Sequence, residues 1–305
     1  MNRRGLLAGG CASLLVGRGG AYAQGLTSID VAYAGSMGSM MEGPIKTEAA
    51  QTLQIDFHGR AMGSDALAKL IVGGSIAPDV FIPVTPGPML SVLQSGKAKL
   101  ATPIARTEMV IAYSPKSKYA AQFDAAAAGT HGAMPWYQIL GQSDIRFGRT
   151  DPSTDPQGRN IIFTLQLAEL YYKQPGLAQK VLGQTINPAQ IFTEPSVEAR
   201  LQSDELDAAS AYKIQPGPFN LPYISLPPEI NLGVDALAHH YSLASLQLGD
   251  KTYQPQPLVY YAAVLNDSQH HDKAAAFVDW LTHDGQLIFR KYFYDPPSGA
   301  SPLHA

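Results

Sequence analysis

Between Ser28 and Pro83 the chain repeats one short pattern, and that pattern limits its possible folds more than any other feature. Ser28-Ile29-Asp30-Val31-Ala32-Tyr33-Ala34 alternates as a strand does, and Gly35-Ser36-Met37-Gly38-Ser39 breaks it. Pro44 to Leu53 reads as a helix opened by proline, and Leu53 to His58 as a second strand. Gly63-Ser64 follows, then helical spacing from Asp65 to Val72 and a third short strand from Asp79 to Pro83. Strand, turn, helix, strand, turn, helix, strand implies an α/β fold with parallel strands. In open sheets of that kind ligands bind beyond the carboxyl ends of the strands. Both Gly-Ser turns fall at such ends.

A second α/β region follows. Glu108 to Ser114 reads as a strand, Trp136 to Leu140 as a short helix, and Ile145 to Gly148 as a strand entering the polar loop Arg149 to Arg159. Asn160 to Lys173 has the spacing of an amphipathic helix, with Ile161, Leu165, Ala168 and Tyr172 near one face. Ser196 to Ser203 reads as a helix and Leu206 to Tyr212 as a strand. Prolines mark residues 214–231 as a linker. Val259 to Leu265 reads as a late strand and Lys273 to Tyr292 as a long terminal helix.

A length of 305 residues allows two lobes. The net charge of −3 gives no basic surface for nucleic acid. Arg3-Arg4, the apolar run from Gly5 to Val16 and Ala21-Tyr22-Ala23 read as a signal peptide cut after Ala23. The paired arginines leave the Sec and twin-arginine (Tat) routes both open. Cys11 is the one cysteine, so a mature chain would hold no disulfide.

Three constellations are candidate sites. Gly35-Ser36 and Gly63-Ser64 pair a hydroxyl with a helix N-terminus, which suits an anion; each alone fits plain N-capping better, and only the two together in one α/β half bring the readings level. The loop Arg149 to Arg159 is long for a strand-to-helix connection. Glu198 and Tyr212 each have an ordinary reading, a helix-dipole contact and core packing. His239-His240 and His270-His271 read as surface residues, because adjacent positions on a helix point apart. No nucleophile with its base is evident, so no catalytic residue and no cofactor are expected. The competing readings are a receptor for another anion or a small carboxylate, and an exported hydrolase using a cleft serine.

The chain resembles the periplasmic or extracellular molybdate/tungstate-binding proteins of ABC transporters, especially the branch known first from archaea. The likeness is carried by Ala34-Gly35-Ser36, by Gly63-Ser64 with Asp79-Val80, and by Arg106 to Ser114. It continues through Thr150 to Gly158, Leu165 to Tyr172, Ser196-Val197-Glu198, Ala211-Tyr212-Lys213 and Leu226 to Leu232. The resemblance implies a two-lobe type II binding-protein fold closing on its ligand, with residues 24–106 and 225–305 in one lobe and 107–224 in the other. It implies a monomer that takes up a small oxyanion and hands it to a membrane permease. It implies donors at Ser36 and Ser64, further donors near Gln157, Val197 and Tyr212, and Asp155 with Glu198 as ligands of the oxyanion's metal centre. The chain departs from the family pattern at Gln157-Gly158-Arg159, where cysteine then Gly-Tyr-Arg is usual, and at Pro83-Val84-Thr85, where an acidic residue is often found.

Overall fold

The computed structural model describes residues 25–305, so the expected leader and Cys11 lie outside the described residues. Twelve strands are present among the described residues: β1 (Thr27–Ala34), β2 (Ile55–Met62), β3 (Val80–Ile82), β4 (Leu100–Arg106), β5 (Met109–Tyr113), β6 (Phe147–Gly148), β7 (Ala208–Tyr212), β8 (Tyr223–Ser225), β9 (Leu246–Leu248), β10 (Lys251–Tyr253), β11 (Val259–Val264) and β12 (Leu303–His304). They form a six-stranded sheet ordered β12-β4-β11-β3-β1-β2, a four-stranded sheet ordered β6-β7-β5-β8 and the β9-β10 hairpin.

In the larger sheet β1 lies parallel to both β2 and β3, while β11 runs antiparallel to β3 and β4. Val31 to Ala34 are all buried, as expected of a strand covered on both faces. The chain leaves this sheet after Arg106 and enters the smaller one at Met109. At that crossing Thr107 N–H donates to Leu258 O at 3.0 Å, so the outgoing and returning segments touch. Each sheet with its helices makes one lobe of a two-lobe α/β fold.

Several local expectations are corrected. The strand ends at Ala34 as expected, but Gly35–Met37 is a 3-10 turn that runs directly into helical structure reaching Thr52, so the helix starts well before Pro44. Met37, Met40 and Met41, spaced as on one helix face, are all buried there. Pro44 does not open that helix but sits inside it, in a π-helical stretch where Gly43 takes φ −100°, ψ −105°. A proline lacks the N–H that a regular turn would use, and the wider turn with its kink accommodates that loss.

The helix expected from Asn160 begins at Pro156 and is not amphipathic near its start. Pro156 to Leu165 are all buried, because β5, β7, β9 and the helix Leu177–Leu182 pack around it. Arg149 is no solvated loop residue: it is fully buried. The 214–231 linker contains β8, a three-residue strand that pairs with β5 and is short enough to be masked by Pro222 and Pro227. The terminal helix is two helices, His271–Thr282 and Gln286–Lys291, where Gly285 N–H folds back onto Trp280 O.

Candidate functional site

The site begins with strand register. Ala34 is paired with Met62 in the parallel β1-β2 ladder, so both strands end at one level. Gly35-Ser36 and Gly63-Ser64 therefore sit side by side, each opening a helical segment. The first amides of a helix have no partner within it, and the dipole makes that end attractive to an anion.

These turns form one wall of a cleft cavity of about 390 Å³, lined by Gly35, Ser36, Ser39 and Gly63 on one side and by Glu194, Glu198 and Gln215 on the other. Ser36 Oγ lies 3.0 Å from the buried Tyr260 hydroxyl, which fixes its rotamer without using its full bonding capacity. Ser64 is set deeper: it is buried, and its Oγ accepts from Val84 N–H at 3.2 Å. Its hydroxyl proton is left to donate elsewhere.

The second wall is a hydrogen-bonded chain of side chains. Asp155 caps the helix Pro156–Tyr172 by accepting from Gln157 N–H at 2.8 Å. Gln157 Nε2 donates to Ser210 O at 3.0 Å, and its Oε1 accepts from Gln215 Nε2 at 3.3 Å. Gln215 Nε2 also donates to Glu194 Oε1 at 2.7 Å, while Gln215 Oε1 accepts from Tyr212 N–H at 2.6 Å. Asp155 and Glu194 thus lie at two ends of one network. A smaller crevice behind Glu194 is lined by Gln157, Val197, Glu198 and Ser210, and a side recess by Gly63, Thr154 and Asp155. Among the described residues, Glu194 alone lines the main cavity, the crevice and the recess.

The electrostatics are unusual for an anion site. Glu194 is pushed up to about 8, first by burial and then by the negative charges of Asp155 and Glu198. Burial alone pushes Glu198 up to about 7. Asp155 is also raised by burial, partly offset by the Gln157 N–H it accepts. Tyr212 is held well above the ordinary tyrosine range by burial and by Asp155. Among the described residues lining the main cavity there is no lysine or arginine. Among the described residues no group of three or more His, Cys, Asp or Glu side chains is arranged to hold a free metal ion.

Ser36 and Glu198 therefore line the main cavity, Asp155 the recess, and Gln157 and Val197 the crevice. Tyr212 is buried behind them, its hydroxyl accepting from Asn160 Nδ2 at 3.0 Å. Val197 does not match the expectation of a free donor. Its N–H bonds Thr193 O at 3.0 Å, because it lies past the helix's first unpaired amides. Glu194 was not singled out from sequence. The signal was present, an acidic residue followed by proline at a helix start, but it has an ordinary reading as a dipole contact. The histidine pairs lie away from the cleft, with His239, His270 and His271 exposed.

The profile of the bacterial extracellular solute-binding protein family matches residues 29–295. A molybdate/tungstate-binding protein, WtpA, of Pyrococcus abyssi is 32% identical over 213 residues, covering 63% of this chain and 60% of its own length. The chain thus spans about 60% of that relative. An uncharacterized solute-binding protein of Methanococcus aeolicus is 30% identical over 288 residues, covering 86% of this chain and 80% of its own. The periplasmic molybdate-binding protein of Azotobacter vinelandii superposes with a TM-score of 0.58 at 16% identity, over 87% of this chain and 98% of that one, which shows a common fold. The chain belongs to the bacterial extracellular solute-binding protein family.

Proposed function

We propose that this protein is the receptor of an ABC importer and captures molybdate or tungstate in the cleft between its lobes. One observation carries the reading: a wall of helix N-termini at Gly35-Ser36 and Gly63, carrying the Ser36 hydroxyl with Ser64 buried just behind, faces a wall of carboxyls at Asp155, Glu194 and Glu198. The first wall suits the oxygens of an oxyanion. Once ionised, the second would repel a dianion by roughly 4 kcal/mol per charge pair at ~4 Å and an effective dielectric of 20. It becomes favourable when a carboxylate oxygen ligates the central atom. Molybdenum and tungsten can expand their coordination to admit such a ligand, whereas sulfur in sulfate and phosphorus in phosphate cannot. The names of the relatives support the same ligand class.

The two carboxylate ligands are best read as Asp155 and Glu194. Glu194 reaches the opposite wall at Gly35 and feels the charge of Asp155, while Glu198 stands one helical turn further on. Ser36 and Ser64 supply hydroxyl donors, and Gln157 and Tyr212 hold the second wall in shape. We assign residues 24–106 and 225–305 to one lobe and 107–224 to the other, a division supported by the switch of sheets after Arg106. The protein acts by binding rather than by reaction. It is exported by a leader cut after Ala23 and presents its closed lobes to the permease as a monomer. Calorimetric titration tests the reading: molybdate or tungstate binds tightly and sulfate weakly. Equal affinity for sulfate would remove carboxylate ligation from the account.

A further inference from the structure

We propose that Asp65 and Arg159 form a latch across the cleft, a positioning pair that sets how long the lobes stay closed without touching the ligand. Asp65 lies in the first turn of the helix Ser64–Val72 on the larger-sheet lobe. Arg159 lies in the first turns of Pro156–Tyr172 on the other. The Arg159 Nη2 group donates to Asp65 Oδ2, joining residues 94 apart in sequence.

The arginine is held ready on its own side. On that side Nη1 donates to Pro152 O at 3.2 Å, while across the cleft the guanidinium lies 4.5 Å over the ring of Tyr253 in β10, which belongs with Asp65. Its side chain is 7% exposed, against 36% for Asp65. A guanidinium already held by a carbonyl of its own lobe loses less freedom when the carboxylate arrives than a free one would. The pair is therefore worth more than a surface ion pair of two free side chains. Opening the cleft would part Arg159 from both Asp65 and the Tyr253 ring, so an ion pair and a cation–π contact together favour closure.

The placement ties the latch to the site. Asp65 follows Ser64, and Arg159 lies one turn beyond Asp155. The pair thus bolts together the two helix N-termini that bound the cleft. Those termini are both positive ends, and bringing them close without an anion is unfavourable. The ion pair offsets that cost. Beside it the walls come close, since a Cβ added at Gly63 would stand 3.5 Å from Thr154 O. The latch rests on the receptor reading only in that a ligand is what the cleft encloses; the lobe geometry does not depend on which ligand.

The test uses spin labels on Gln51→Cys and Gln174→Cys, one exposed position on each lobe, in a Cys11→Ser background. Inter-label distances are measured without ligand, and molybdate dissociation is followed by stopped flow. Asp65→Asn should enrich the longer distance in the ligand-free protein and speed dissociation about tenfold, with association changed less than about twofold. Arg159→Gln should do the same, and the double swap Asp65→Arg with Arg159→Asp should recover part of the loss. A folded Asp65→Asn protein whose distances match the parent would overturn the latch. If no variant and no parent binds molybdate, the ligand reading fails while the distances still decide the latch.

Discussion

Glu194 Oε2 stands 3.1 Å from where a Cβ on Gly35 would lie, so a carboxyl of one lobe fills the space above the first turn of the other. Only a glycine at 35 lets it lie there undisturbed. Gly35→Ala should leave the fold intact, because the atom it meets is the end of a flexible side chain. Stability should change by less than about 1 kcal/mol. Molybdate affinity should nevertheless fall about tenfold, as the carboxyl is pushed off its ligating position. Glu194→Gln should cost at least as much, and Glu198→Gln less. Calorimetry on the three variants checks the order; an unchanged affinity in Glu194→Gln would remove Glu194 from the site.

Glu194 and Glu198 give the ligand-free protein a pH signature. Their folded values, about 8 and about 7, lie above the ordinary 4.5. Above pH ~4.5 the unfolded chain has lost protons that the folded chain still holds, so stability falls as pH rises. The loss should start near pH 5 and level off once the folded groups ionise, near pH 8. Both carboxyls retain some access to the cleft, so the effect is smaller than the full shifts would give. Thermal melts of the ligand-free protein from pH 5 to 9 should show this decline, and Glu194→Gln should flatten its upper part.

Ser36 and Ser64 should separate binding from folding. Ser36 lines the cavity and meets only Tyr260, so Ser36→Ala should weaken the oxyanion by about 10- to 100-fold, the range for a hydrogen bond to a charged group. Its melting temperature should barely move. Ser64 is buried and accepts from Val84 N–H, so Ser64→Ala should lower both affinity and stability, the latter by about 1–2 kcal/mol. Paired titrations and melts distinguish the two.

The first three strands were legible because each is a short apolar run closed by a turn signal. The Gly-Ser turns were legible as places, since strand ends are where such sheets bind. What could not be read was long-range. Glu194 matters because a glycine 159 positions earlier leaves room for its carboxyl, and no local spacing carries that relation. β4 and the β9-β10 hairpin lack strong alternation and exist through their partners β11 and β12 and through the central helix. The Met37-Met40-Met41 stripe had helical spacing, but Gly38 and Ser39 within the stripe hid it.

Arg149 shows the same limit from the side of stability. It is fully buried, its Nε donates to Gln190 Oε1 at 3.1 Å, and its Nη2 donates to Gln184 O and Thr185 O at 2.9 Å. Burial pushes it down to about 10, with no carboxylate bonded to it. Arg149→Ala would leave two carbonyls and an amide oxygen without their donor. The expected cost is about 3 kcal/mol, read by denaturant melts, with little effect on the affinity of the protein that remains folded.

Gly158 tests whether the loop before the central helix is set by packing. A Cβ there would meet Thr150 O at 2.4 Å, Asp151 C at 2.7 Å and Pro152 N at 2.7 Å. All three are backbone atoms, so nothing can swing aside. Gly158→Ala must move either the loop 150–155 or the start of the helix that Asp155 caps. Overpacking of this kind costs about 1–3 kcal/mol. The same displacement carries Asp155 away from the cleft and Arg159 away from Asp65, so molybdate affinity should fall with stability. A Gly158→Ala protein that melts and binds like its parent would show that the loop is free to adjust, and that Asp155 is placed by its own capping bond to Gln157 instead.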